Sequence, residues 1–206
     1  MAIYHSAIFD SLRNKLANTV LYKKGPDGII RTRPAKVKNP RTAEQQKQRA
    51  RMGAVIELSR RFAPIITTGF CNRPIRLTAY NMFTKLNVAN IAVDDQFQAT
   101  PDFKKFIVSD GVLAAPKVSA EKSSSLINFT STPQAADGLS AGDDVIYAGI
   151  YEEELKTARL HKIGTRAEGA SSSFEYPENW KSDKMHIYVF AVSRSKKRTS
   201  PTVYFS

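Results

Sequence analysis

From residue 96 onward the chain is cut into short β-prone runs, and that rhythm limits its fold more than any other feature. FIVSDG, KVSAEK, SLINFTST, DDVIYAGIYEE, TARLHKIG, SSFEYP, MHIYVFAVSRS and SPTVYF follow one another at regular intervals. Each run is bounded by Gly, Pro, Ser or Asp clusters, residues that turn a backbone. Seven or eight such strands in about 100 residues predict an antiparallel β-sandwich, immunoglobulin-like or fibronectin type III-like in pattern. Two runs are apolar on both faces. Val145, Tyr147, Gly149 and Tyr151 alternate with Ile146, Ala148 and Ile150, and Ile187, Val189 and Ala191 alternate with Tyr188, Phe190 and Val192. These are the expected central strands, or strands with one face covered by a neighbour. Trp180, just ahead of the second run, is expected to close the bottom of the core. Cys71 is the only cysteine, so the sandwich has to hold without an internal disulfide.

The first 95 residues have a different texture. Ile8, Leu12 and Leu16 carry a weak helical spacing. NTVLYKK and IIRTRP flank Gly-Pro-Asp-Gly, which predicts a hairpin of Thr19 to Lys23 against Ile29 to Arg33. Pro34 and Pro40 bracket a segment that cannot continue a central strand and is expected to be an extended linker. Thr42, with Gln45 three positions on, fits a capping box that opens a helix. From Ala43 to Ala63, Met52, Val55, Ile56, Phe62 and Ala63 share a face about 120° wide, and Pro64 is expected to stop the helix. A second helix is expected from Pro74 to about Ala92, with Tyr80, Phe83, Leu86 and either Ile91 or Asn87 inward. The two should pack as an antiparallel pair. The expected fold class is therefore α+β: a basic β-hairpin arm and helical pair in residues 1–95, then a sandwich in 96–206.

Charge follows the same division. The chain carries a net +12, but residues 93–206 hold 14 Lys and Arg against 15 Asp and Glu. The whole excess therefore lies in the first 92 residues and implies a polyanionic or acidic partner there. Arg31, Arg33, Lys36, Lys38, Arg41, Gln45, Gln46 and Arg49 are the residues expected to meet that partner, either another subunit or a nucleic acid. Phosphate neutralisation needs such a zone. The zone spans a hairpin, a linker and a helix start, however, and shows no helix-turn-helix spacing. That composite suits an arm reaching across to an acidic neighbour.

Catalytic signals are weak by comparison. His5, His161 and His186 lie far apart, without HExxH spacing or cysteine partners, so isolated surface or strand histidines account for them. Asp94-Asp95, Asp143-Asp144 and Glu152-Glu153-Glu154 read as solvated turn and strand-end residues rather than acid–base pairs. No nucleophile elbow, phosphate loop or dinucleotide fingerprint occurs. A non-enzymatic protein with no cofactor and no metal is the expectation. No apolar run approaches the roughly eighteen residues a membrane span needs, and MAIYHSAIFDSLRNK does not read as a signal peptide.

NPRTAEQQKQRARM resembles the NPRTxxQQxQRxxF motif of an uncharacterised family of Bacteroidota and their tailed phages. Arg31 to Pro34, Lys36 to Thr42, Thr78 to Asn81, Trp180, Asp183 and Met185 to Phe190 carry the resemblance along the chain. Met52 stands where that family has an aromatic, and Met185 where it has a β-branched residue. The resemblance implies the arm–helix–sandwich architecture and a phage context, with no activity attached. The expected role is a virion structural protein, an oligomeric head–tail connector or neck ring component assembled in the host bacterial cytoplasm. Its expected partners are its own copies and portal or tail components. A basic nucleic-acid-binding accessory protein and a host-encoded Ig-like binding module are the alternatives.

Overall fold

The two runs that are apolar on both faces form the middle layer of the structure. The computed structural model describes residues 2–4, 14–33, 39–123 and 125–205. Four strands come first: β1 (Ala2–Tyr4), β2 (Asn14–Leu16), β3 (Thr19–Lys24) and β4 (Asp27–Thr32). Three helices follow, α1 (Ala43–Arg61), α2 (Ala63–Gly69) and α3 (Ala79–Asn87), then a short hairpin of β5 (Ile91–Val93) and β6 (Ala99–Pro101). The remaining strands are β7 (Val118–Lys122), β8 (Leu126–Ser131), β9 (Val145–Glu152), β10 (Thr157–Thr165), β11 (Ala170–Glu175), β12 (Met185–Val192) and β13 (Val203–Phe205). Every ladder is antiparallel. The chain is thus a mixed α+β protein with several antiparallel sheets and no closed barrel.

Two compact units divide it, residues 1–42 with 74–76 and residues 43–73 with 77–206. In the larger unit, β10-β9-β12-β13 form one sheet and β11-β8-β7 another. Ile146, Ala148 and Ile150 of β9 and Ile187, Val189 and Ala191 of β12 share a buried cluster with Ile127 and Phe129 of β8. Trp180 joins that cluster, as expected. The intervening residues of the same strands point the other way. Tyr151, Tyr188, Phe190 and Val192 pack with Val55 of α1, Ile65 and Ile66 of α2 and Phe83 of α3. Phe62, between α1 and α2, is the hub: its ring lies 4.4 Å from that of Tyr151, 5.4 Å from Phe83 and 5.7 Å from Tyr188.

That packing joins residues on both sides of position 95 in one cluster. The helices are the second cover of the central sheet, and the boundary between compact units falls at Thr42/Ala43. Other expectations move for local reasons. Pro64 does not end the helical region; α1 closes at Arg61 and Pro64 sits in the first turn of α2, where its missing N–H costs nothing. Ile56 and Tyr80 are exposed rather than inward. The second helix is shorter than expected, with Thr78 capping it and accepting a bond from Asn81 N at 3.1 Å. Asn87, the last residue of α3, is buried and its amide ties the helix end to the segment around Ile107. Its Nδ2 donates to Phe83 O and Ile107 O, and its Oδ1 accepts from Ile107 N. Ile91 starts a strand.

FIVSDG forms no strand. Val108 N and Ser109 N donate to Thr202 Oγ1 at 3.0 and 2.9 Å, so one hydroxyl replaces a ladder. Among the residues expected to be helical near the N-terminus, Leu16 lies in β2, while Ile8 and Leu12 lie outside the described residues. The hairpin is present as β3 and β4, reaching one residue further inward at Lys24 and two at Asp27, and ending at Thr32 rather than Arg33. Gly25, with φ at +65°, and Pro26 make the turn. A positive φ followed by a proline has the signs of a type II′ turn, whose twist suits a hairpin. The linker residues 34–38 lie outside the described residues.

A Cβ at Gly149 would stand 2.6 Å from Ile65 Cγ2, so α2 rests directly on the backbone of β9. G149A should therefore lower unfolding free energy by about 1–3 kcal/mol, measured by urea denaturation. Truncating Ile65 in the same chain (I65A) should recover part of that loss, whereas additive losses would show that the layers can separate freely.

Candidate assembly and polyanion interface

The smaller unit is a four-stranded sheet in the order β1-β4-β3-β2. Residues directly opposite each other in a ladder share a face. Lys15, Val20 and Arg31 make one row across β2, β3 and β4, and Tyr22, Ile29 and Ile3 make the next row on the same side. Lys24, two residues beyond Tyr22, continues this side. Arg31 Cζ lies 6.0 Å from the centre of the Tyr22 ring, at the outer limit of a cation–π contact. One face thus interleaves cations with an aromatic ring.

The described residues of this unit bury little. Leu21 and Ile29 are the large apolar side chains that its described residues bury, and they lie on opposite faces. Ile3, Leu16 and Ile75 are exposed. Small sheets of short strands that bury so little apolar surface on either face are marginal on their own. Charge opposes compactness as well: residues 1–42 with 74–76 contain ten Lys and Arg and only two Asp. Of those acids Asp27 is buried, and Arg76 Nη2 sits 2.6 Å from its Oδ2.

The expected interface residues fall into four groups. Arg31 and Arg33 are exposed at the end of β4, and Arg33 N donates to Asn18 O at 2.7 Å. Arg41 is exposed with φ at +52°, just before α1. Gln45 and Arg49 are exposed one turn apart on α1 and Gln46 is half-buried; these three belong to the larger unit. Lys36 and Lys38 lie outside the described residues. Two cations of the same zone are engaged within the larger unit. Lys47 Nζ meets Asp95 Oδ1 at 2.7 Å, which raises its pKa, and Arg51 Nε donates to Ile91 O at 3.0 Å.

The carboxylates depart from their expected solvated roles in part. Asp144 and Arg166 are both buried, with Asp144 Oδ2 3.4 Å from Arg166 Nε. The guanidinium also donates to Gln134 Oε1 and Ala114 O, knitting three loops together. Glu152 is buried and accepts from Leu155 N at 2.6 Å. Glu154 stays exposed beside Lys181. Sequence reasoning also missed a second basic cluster at Arg194, Lys196, Lys197 and Arg198, because a near-neutral sum over 93–206 hid its local density. Among the described residues, no group of three or more His, Cys, Asp or Glu is placed to hold a metal ion, and no helix is long and apolar enough to cross a membrane.

His161 and His186 are separate strand residues, and His5 lies outside the described residues. Burial lowers both imidazoles below their ordinary pKa, and for His186 nearby Glu153 opposes this in part. His186 stacks on Phe103 at 4.5 Å, and its Nδ1 lies 2.8 Å from the Tyr204 hydroxyl.

A family model described as a family of unknown function (DUF6266) matches residues 14–206. No curated protein matches the chain.

Two outcomes test this geometry. R76Q strips the countercharge from buried Asp27, so hydrogen exchange of the β3 and β4 amides should accelerate about fivefold, while β12 amides stay protected. The pH dependence has a definite sign. The depressed imidazoles bind protons less readily in the folded chain than in the unfolded one. Stability should therefore be full above the ordinary imidazole pKa of about 6.5 and fall as pH drops through it. Thermal melts of H161Q/H186Q should show a flatter slope between about pH 7 and 5.

Proposed function

The chain belongs to that family of unknown function, DUF6266, and from this premise we propose that it is a non-enzymatic structural protein of a tailed-phage virion. Its place is an oligomeric head–tail connector or neck ring, with its own copies and portal or tail components as partners. The observation that carries this reading is the poverty of the small unit's core beside its charge. A unit whose described residues bury two large apolar side chains, and whose sequence carries ten cations against two acids, would gain order by covering its faces with an acidic neighbour. Docking one protomer's arm on the next is a head-to-tail contact, and such contacts close into rings when the rotation permits. The likeness of NPRTAEQQKQR to the phage-associated motif supports the same context.

We also read the two stacked sheets as a fibronectin type III-like sandwich. Constant-type immunoglobulin sheets place the fourth strand beside the first, second and fifth. Here the fourth, β10, pairs with the third, β9, leaving β11-β8-β7 as a three-stranded sheet. That shift to three plus four supports the fibronectin-type reading. A second functional reading, a nucleic-acid-binding accessory protein, is favoured by the Lys15–Arg31–Tyr22 face, where cations flank an aromatic ring.

Light scattering of the purified chain, with and without DNA, tests both. The full chain should measure as an oligomer, and the chain lacking residues 1–41 as a folded monomer, because both buried clusters lie in the larger unit. An oligomer that survives the deletion would refute the arm. A DNA-dependent mass that R31Q/R33Q abolishes would favour the second reading.

A further inference from the structure

The connection between β12 and β13 gathers cations on a backbone that holds them in place. Arg194, Lys196, Lys197 and Arg198 are four cations in five residues, and all are exposed. Ser193 organises them. Its hydroxyl oxygen accepts from Lys197 N at 3.2 Å and Arg198 N at 3.0 Å. Its own N–H donates to Arg198 O at 2.9 Å, and its carbonyl accepts from Lys196 N at 2.8 Å. Lys196 occupies the left-handed region at φ +57°, a conformation that persists only where the surroundings determine it.

Little nearby neutralises the cluster. Asp143 Oδ2 is 3.9 Å from Arg194 Nη1 with both side chains exposed, a contact of small worth. Asp144, the adjacent acid, is committed to Arg166. Two clefts flank the loop and share Ser193 and Arg194. One, of about 270 Å³, is lined by Thr67, Thr68, Cys71 and Tyr147; the other, of about 530 Å³, includes Lys197 and Arg198.

We propose that the Ser193–Arg198 loop is a phosphodiester-binding surface that holds a nucleic-acid backbone without regard to base sequence. Cations beside the hydroxyls of Thr67, Thr68 and Ser195 are the groups that contact phosphate oxygens. A phosphodiester chain presents anions at fixed spacing, so a preset cation cluster meets it with little further ordering. Carboxylates on a protein surface stand on separate mobile side chains and gain less from that rigidity. The loop lies in the larger unit, so this inference is independent of the arm and of the proposed function.

Anisotropy of fluorescein-labelled single-stranded and duplex DNA against the full chain, across a salt series, provides the test. R194Q/K196Q/K197Q/R198Q should weaken duplex binding at least tenfold near 0.1 M salt. It should also reduce the slope of log affinity against log salt by about three to four, at about 0.9 per lost phosphate contact. Cys71 supplies a second readout, since its half-buried thiol lines the smaller cleft and its pKa is raised by burial. Bound DNA should slow its alkylation in the wild-type chain, and the variant should keep the wild-type urea midpoint, showing that the fold is intact. Unchanged affinity and slope in the variant would overturn the proposal. So would complete loss of binding in R31Q/R33Q with none in the loop variant, or equal displacement by polyglutamate, which would make an acidic protein the occupant.

Discussion

A sheet that is apolar on both sides has to be dried twice, and that requirement organises the larger unit. β9 and β12 direct Ile146, Ala148, Ile150, Ile187, Val189 and Ala191 to one side, and Tyr151, Tyr188, Phe190 and Val192 to the other. The three-stranded sheet covers the first set. The second would leave three aromatic rings in water, at about 25 cal/mol for each Å² of apolar surface left uncovered. Helices α1 to α3 remove that cost, and Phe62 is where the two layers lock. The close approach of Ile65 to Gly149 depends on the same contact, because any side chain on that residue would lift α2 from the sheet.

Once the helices are committed to the core, the chain's charges sort themselves by what they are used for. Lys47 and Arg51 tie α1 to the region of β5 and β6, and Lys156 reaches Glu57 at 3.3 Å. Arg166 is spent inside, where leaving either it or Asp144 alone would strand a charge without water. The basic composition of the N-terminal part therefore overstates the charge offered outward by α1. What stands out instead are the rim of the small sheet and the rigid loop after β12, places where cations outnumber acids locally.

Much of this was legible in the sequence, and the failures have physical causes. Strand runs with alternation, such as those of β9 and β12, carry their pattern in neighbouring residues, so their positions and the burial of Trp180 could be read directly. That both faces were apolar was also visible. Which element supplied the second cover was not, because the docking of Phe62 and Ile65 joins residues far apart in the chain. FIVSDG looked like a strand because its side chains are core-facing; Phe106 and Val108 are indeed buried. Its backbone partner, however, is the Thr202 hydroxyl, a contact invisible to periodicity. Asn87 misled the helix boundary in the same way, and Asp144 read as solvated because its arginine partner is 22 positions away. For the candidate interface, composition located the basic N-terminal zone, whereas averaging concealed residues 194–198.

The small sheet poses a different kind of constraint from the core. Its apolar residues are divided between two faces, so no single packing partner inside the unit can cover both. Its cations repel one another, and one of its two acids, Asp27, is already used by Arg76. Each added neighbour of opposite charge would therefore act twice, removing apolar surface from water and lowering the self-repulsion. The larger unit has less of this double incentive, because its described apolar side chains share two buried clusters and its 21 Lys and Arg are nearly matched by 17 Asp and Glu. On the proposal that this unit docks on a neighbour, covering the small sheet's faces and offsetting its charge would be one and the same step.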